Sequence, residues 1–149
     1  MPKGVIVDEE AVMAGYADVR DDESETKFLM LTYQDENTKI GVSKSGADYS
    51  EVLTDLGGEE GESLRAYVYL RVVTGDEMSK RHKFVLLTWC GPSVPALKKA
   101  KMSLEKTLVK NLMRSFAVEI QASELEEMAL DNIMDLVRKS GGANYGPGK

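Results

Sequence analysis

The sequence is poor in the residues that metal sites, disulfides and many catalytic centres use. Among its 149 residues there is one cysteine, Cys90, and one histidine, His82. A single cysteine excludes an internal disulfide and favours a reducing compartment. One histidine and one cysteine cannot supply the three or four protein ligands of a zinc site. We therefore expect neither a bound metal nor a cofactor.

Long apolar segments are also missing. The longest apolar run, Phe84 to Cys90, is interrupted by Thr88. It is far shorter than the roughly 20 residues that cross a membrane as a helix. No apolar segment follows the N-terminal Met-Pro-Lys-Gly, so no secretory signal is expected. These absences predict a cytoplasmic protein without a membrane span.

Positive charge is in the minority. The chain has 19 lysines and arginines against 25 aspartates and glutamates, for a net charge of −6. Such a field opposes binding to nucleic acid. The basic residues nevertheless cluster in Lys80–Lys83, Lys98–Lys101 and Arg138–Lys139. A locally basic face on an acidic protein would suit an acidic macromolecular partner.

Residues for catalysis are difficult to assemble. His82 and Cys90 are predicted to lie on one strand, about 26 Å apart at ~3.3 Å per residue, too far for a nucleophile and its base. The sequence contains no Gly-x-Gly-x-x-Gly or Walker-type phosphate loop. Glu59, Glu60 and Glu62 are close in sequence, but their glycine-rich segment is more simply a solvated turn. We expect no enzymatic activity.

What the sequence does contain is a regular alternation of helix and strand patterns. With 42% apolar and 30% charged residues, it is typical of one globular domain, which we place at residues 1–140, followed by a flexible tail at 141–149. The predicted helices are Asp8–Arg20, Gly46–Leu56, Ala96–Arg114 and Ser123–Lys139. The predicted strands are Lys27–Tyr33, Asn37–Ser43, Ser63–Thr74, Lys83–Cys90 and Ser115–Gln121.

This order predicts the α+β class. The strand–helix–strand segment from residue 83 to 121 indicates one parallel crossover at the end of an otherwise antiparallel sheet. We therefore expect a central, mixed five-stranded sheet between helices. The last helix is predicted to start in a capping box at Ser123–Glu126 and to stop at Gly141-Gly142.

The long helix Ala96–Arg114 has a predicted buried face. Six residues fall in one arc at 100° per residue. They are Val94, Leu97, Ala100, Leu104, Leu108 and Leu112. Met102 lies off that arc, among lysines, and is expected to be exposed. Lys101 is expected near the edge of the buried arc.

Five collinear segments resemble a known family. They are Val19-Arg20-Asp21-Asp22, Thr74-Gly75-Asp76-Glu77-Met78-Ser79-Lys80-Arg81-His82-Lys83-Phe84, Thr88-Trp89-Cys90-Gly91, Lys106-Thr107-Leu108-Val109-Lys110 and Gly141-Gly142-Ala143-Asn144-Tyr145. Together with the element order, they resemble coactosin and coactosin-like proteins, a branch of the actin-depolymerising factor/cofilin homology (ADF-H) superfamily.

The resemblance implies a sheet wrapped by helices in a monomer that binds actin filaments without catalysis, in the cytoplasm and cytoskeleton. It implies a filament-binding lysine at Lys83, with Lys80 and Arg81 beside it. A cofilin-like Lys-x-Lys-Met pattern implies a second contact through Lys99, Lys101 and Met102. Arg138 and Lys139 resemble a further filament-side contact.

Three departures from cofilins accompany the resemblance. Met1–Val7 contains no serine or threonine, so a phosphorylation switch is not expected there. Gly57–Gly61 is unusually acidic and glycine-rich. The stretch Gln121–Ser123 before the last helix is short, as in coactosins, which are associated with filament binding without severing. Two alternatives stay open: a cofilin-like severing or monomer-binding protein, and an adaptor for another acidic cytoplasmic protein.

Overall fold

The computed structural model describes residues 4–76 and 79–144. Its strands are β1 (Ile6–Val7), β2 (Phe28–Gln34), β3 (Lys39–Gly46), β4 (Arg65–Asp76), β5 (Ser79–Cys90) and β6 (Val118–Ala122). Its α-helices are α1 (Glu9–Arg20), α2 (Ser50–Gly57), α3 (Ala96–Leu112) and α4 (Leu130–Asn144). Two short 3-10 turns, Glu59–Ser63 and Leu125–Met128, precede β4 and α4.

The strands form one mixed sheet in the order β1-β3-β2-β4-β5-β6. The inner pairs are antiparallel, whereas β1 and β6 pair in parallel with β3 and β5 at the two edges. The α+β class and the β5–α3–β6 crossover are confirmed. The prediction of five strands with one parallel pair was wrong, because the two-residue β1 is too short to show an alternating pattern.

Helices cover both faces of the sheet, and each face has its own core. Val68, Leu87 and Trp89 belong to the core under α2 and α4. Tyr67 and Leu86 belong to the core under α1 and α3. Because successive strand residues point to opposite faces, β4 and β5 supply both cores at once. The alternation predicted for Ser63–Thr74 is therefore confirmed.

The last predicted helix is divided in the structure. A 3-10 turn is separated from α4 by Ala129, which is extended (φ −63°, ψ 141°). The predicted capping box at Ser123–Glu126 was displaced by one residue, since the N-cap is Glu124 and its partner is Glu127. Oε1 of Glu127 accepts from the backbone N–H groups of Ser123 and Glu124 at 2.9 and 3.0 Å. Helix α4 continues to Asn144, so its predicted end at Gly141-Gly142 was too early. Residues 145–149 of the predicted tail lie outside the described residues.

Helix α3 buries a different face from the predicted one. Met102 is 3% exposed and Val109 is fully buried, whereas Leu97 and Leu104 are 69% and 78% exposed. The buried residues Met102, Val109 and Met113 recur at i, i+7 and i+11. Polar residues occupy the gaps in this narrow seam, so it shows no continuous apolar arc in the sequence.

Polar contacts under α3 explain that orientation. Tyr33 donates its hydroxyl hydrogen to Glu105 at 2.8 Å. Lys106 and Lys110 form ion pairs with Glu119 of β6 at 3.2 and 2.8 Å. These contacts draw the charged side of the helix towards the sheet and leave Leu97, Leu104 and Leu108 outside, whereas Leu112 packs against the core. The expected exposure of Met102 was therefore wrong.

Candidate functional site

The basic segment Lys80–Lys83 lies on a two-stranded extension of the sheet. β4 and β5 pair without interruption to Asp76↔Ser79. Their neighbours stop earlier, since β2 pairs with β4 only as far as Leu70 and β6 pairs with β5 only from Val85. Residues 72–76 and 79–83 therefore have no flanking strand among the described residues. We call this pair of segments the arm.

The arm presents its positive charges on both faces. Lys83 pairs with Val72 and shares the face of Val85, which is covered by α4. Lys80 and His82 share the opposite face. Lys80, Arg81 and His82 are exposed and Lys83 is half-buried. The predicted exposure of His82 is confirmed, whereas the predicted start of the strand at Lys83 was four residues too late.

The turn of the arm requires a glycine. Gly75 has φ +98°, and a Cβ there would collide with the carbonyl oxygen of Ser79. We expect Gly75→Ala to unpair the arm, because alanine is strained in this region of φ and has no room here. Hydrogen exchange followed by NMR would show faster exchange at residues 79–83 and unchanged protection in β2.

Gly46→Ala is the matched control for this substitution. Its nearest neighbour, Cε2 of Phe28, lies 3.4 Å from the new Cβ, which is an ordinary contact, and its φ lies outside the left-handed region. Equally intact protection of the arm in Gly75→Ala and Gly46→Ala would show that the turn does not require a glycine.

A buried arginine fixes the base of the arm. Arg71 is 5% exposed and its guanidinium donates to three acceptors. These are Nδ1 of His82 at 3.2 Å, the carbonyl oxygen of Val19 at 2.9 Å, and the carboxylate of Asp22. The hydrogen bond from Arg71 lowers the pKa of Asp22 below its ordinary value. We call these four residues the clamp.

A second arginine supports the same region. Arg20 donates to the Tyr69 hydroxyl at 3.0 Å and its guanidinium lies 4.5 Å from the centre of the Phe84 ring. Tyr69 and Phe84 stack with their centroids 5.5 Å apart. The end of α1 is thus tied to the base of the arm by aromatic, cation–π and hydrogen-bond contacts.

Sequence reasoning missed both arginine contacts. Val19-Arg20-Asp21-Asp22 was singled out only as part of the family resemblance, with no role for its residues. One signal was available, because Arg71 lies two residues after the inward-facing Tyr69 on the same strand and therefore points to the same buried face. An arginine on a buried face must find hydrogen-bond acceptors.

Helix α4 packs on the face of the sheet to which Lys83 belongs. Val137 packs in one core with Val72 and Val85. The neighbouring Arg138 and Lys139 are exposed, and Lys139 pairs with Asp135 one helical turn away at 3.2 Å. Arg138 and Lys139 are therefore surface cations on a helix that covers the same face of the sheet as Lys83.

The third basic segment, Lys98–Lys101, lies near the opposite end of β5 from the arm. Lys99 and Cys90 line the same cavity, and Cys90 is about 23 Å along β5 from Lys83 at ~3.3 Å per residue. The Lys-x-Lys-Met residues also diverge: Lys99 faces the cavity, Lys101 lies within the exposed leucine stripe, and Met102 is buried. Lys101 was thus misplaced near a buried arc.

Neither a metal site nor a membrane span emerges from the described ranges. In residues 4–76 and 79–144, no three His, Cys, Asp or Glu side chains are grouped to hold a metal ion. Among these residues, no helix is sufficiently long and apolar to cross a membrane.

A basic arm on a sheet enclosed by helices is accompanied by a clear family match. The model of the cofilin/tropomyosin-type actin-binding proteins matches residues 4–138. The chain belongs to this family. Similar proteins include the coactosin-like protein of Rattus norvegicus, 38% identical over 93% of this chain and 94% of the relative. Dictyostelium discoideum coactosin is 35% identical over 91% of each.

Solved structures agree with the sequence relatives. A crystal structure of human coactosin-like protein has a TM-score of 0.83 and 34% identity, covering 91% of this chain and 99% of the other. Mouse coactosin, described as an actin filament binding protein, has a TM-score of 0.76 and 36% identity, covering 97% and 98%. The ADF-H fold and the resemblance to the coactosin branch are confirmed.

Proposed function

We propose that this chain binds the sides of actin filaments, without catalysis and with little or no severing, as a cytoskeleton-associated protein. Family membership and the filament binding ascribed to the mouse relative support the partner. The observation that carries the proposal is the basic arm, which projects from the sheet of an acidic protein. We further propose that Lys83, Lys80 and Arg81 contact the filament, together with Arg138 and Lys139.

The charges of the arm are suited to an external partner. Neither Lys80 nor Lys83 forms an ion pair with any residue in the described parts of the chain. An unpaired lysine at the surface loses little by approaching an acidic patch, because no internal salt bridge must break. The clamp holds the base of the arm, so less conformational entropy is lost on binding.

A second contact is proposed on the outer face of α3. Lys101 is flanked by the exposed Leu97, Leu104 and Leu108 at helical spacing. An exposed apolar stripe at helical spacing is the pattern by which a helix enters a groove. Buried Met102 supports this helix from beneath and does not contact the partner. Lys99 borders the stripe and the cavity.

Co-sedimentation with actin filaments at two salt concentrations tests this proposal. We expect the Kd to rise about tenfold between 50 and 200 mM KCl, because exposed charges are screened over about 10 Å at 0.1 M salt. Filament lengths seen by fluorescence microscopy should stay unchanged. Binding without salt dependence would contradict the arm as the main contact, and rapid shortening of filaments would favour the cofilin-like alternative.

A further inference from the structure

The outer edge of β5 is open along the arm. The carbonyl oxygen of Phe84 accepts from the N–H of Ala117, just before β6, at 2.8 Å, so the backbone groups of Phe84 face the β6 side. Successive residues of a strand direct their N–H and C=O groups to opposite sides. His82 and Lys80 therefore direct theirs outward, whereas residues 81 and 83 direct theirs towards β4. No described residue pairs with the outward groups of His82 and Lys80.

The chain that leads into β6 turns away from this edge. The N–H of Ser115 donates to the hydroxyl of Tyr16 on α1 at 3.1 Å, and Phe116 packs against the core under α1 and α3. The residues before Ala117 thus lie on the helix-covered face and not in the plane of the sheet. No described residue continues the line of β6 alongside residues 79–83.

The side chains beside this edge are cationic. Lys80, Arg81 and His82 are exposed, and neither Lys80 nor Lys83 forms an ion pair with a described residue. The carboxylate of Asp22 is held by Arg71 at the base of the arm. Lysines on an open edge hinder pairing with a second copy of the same chain, because like charges on adjacent strands repel. A strand of opposite charge is attracted by the same residues.

We propose that the arm binds an acidic, extended polypeptide segment as an additional strand along the outer edge of β5. Main-chain hydrogen bonds to Lys80 and His82 hold the segment, and its carboxylates lie against the neighbouring cations. The clamp fixes the base of the arm, so the edge is formed before the segment arrives. The inference goes beyond the proposed filament contact, which rests on side-chain charge, and it is tested in the absence of actin.

A blocked peptide of about seven residues, alternating glutamate and threonine, is the probe for such a segment. We expect it to produce saturable NMR shifts in the ¹⁵N-labelled full chain at ~50 mM KCl, where charges are weakly screened. The amide protons of Lys80 and His82 should move downfield more than those of Arg81 and Lys83, because only the outward N–H groups gain an acceptor. A lysine–threonine peptide of the same length should not bind. No saturable shift with the acidic peptide, or equal binding of both, would overturn the proposal.

Two N-methylated isomers of the acidic peptide separate main-chain pairing from charge attraction. One carries methyl groups on the glutamate nitrogens and the other on the threonine nitrogens, so their charges are identical. Alternate N–H groups of an added strand face β5. One isomer should therefore bind at least tenfold more weakly than the unmodified peptide, and the other within threefold of it. Equal affinities of the two isomers would show that no strand is added.

A pair of substitutions at His82 tests the same point on the protein. Proline removes the outward N–H and alanine keeps it, while both remove the imidazole that accepts from Arg71. Proline is tolerated in an edge strand where its nitrogen faces away from the ladder. We expect His82→Pro to bind the acidic peptide at least fivefold more weakly than His82→Ala, and equal binding would contradict the proposal. The methylated peptides keep the test decisive if His82→Pro unfolds the arm.

Discussion

The combined variant Lys80→Glu, Lys83→Glu is expected to bind actin filaments about 100-fold more weakly than the natural chain at ~0.1 M salt. A 100-fold change corresponds to about 2.8 kcal/mol. Two reversals convert two attractions into repulsions at one small surface, and like charges at an interface cost several kcal/mol. The fold should persist, because Lys80 is exposed and Lys83 only half-buried. Co-sedimentation gives the affinity and thermal unfolding checks the fold.

Lys39→Glu combined with Lys44→Glu is the matched control for charge. Both lysines lie on β3, away from the arm, and both pair with carboxylates, Asp35 and Asp55. The control changes the net charge by the same amount and should reduce affinity less than threefold. Equal losses in the two double variants would mean that total charge, rather than the arm, governs binding.

Arg71→Met is expected to lower the free energy of unfolding by about 3 kcal/mol. Methionine fills much of the space but cannot donate, so the Val19 carbonyl and His82 Nδ1 lose their hydrogen bonds. Hydrogen bonds from a charged group contribute about 1.5–3 kcal/mol each. The total loss of stability is smaller than their sum, because the exposed Asp22 carboxylate can bond to water when Arg71 is replaced. Urea unfolding measures the loss. Hydrogen exchange should show the arm opening before the rest of the sheet.

The clamp also makes the stability of the protein depend on pH. Since the pKa of Asp22 is lower in the folded chain, its contribution is present above its ordinary pKa and is lost as the pH falls through the folded value. Asp22→Asn should therefore be less stable at pH 7 and less sensitive to acid.

A free energy of unfolding for Arg71→Met within 0.5 kcal/mol of the natural chain would contradict the role of the clamp.

Elements with a strong local pattern were predictable from the sequence. Ser63–Thr74 alternates because its two faces enter two different cores. Asp8 marks the start of α1, where its carboxylate accepts from the Ala11 N–H at 3.4 Å. The face of α3 was not predictable, since its leucines suggest burial while the sheet beneath offers tyrosine and glutamate partners. Those partners are far away in sequence.

The site was predictable as a set of charges but not as an arrangement. Residues 79–82 show no alternation of apolar and polar side chains. Their sequence therefore does not indicate that they continue the strand and pair with residues 73–76. The clamp joins Arg71 to residues about 50 positions earlier in the chain. The Lys-x-Lys-Met motif looks like one surface in the sequence, but the helix directs its three side chains to three environments.

Lysine acetylation footprinting of the natural chain, with and without actin filaments, tests the central claim most directly. Mass spectrometry reports each lysine separately, with Lys39 and Lys44 as internal references. We expect at least fivefold protection of Lys80 and Lys83, weaker protection of Lys139 and Lys101, and none at the references. Full labelling of Lys80 and Lys83 on saturated filaments would contradict the arm as the filament contact.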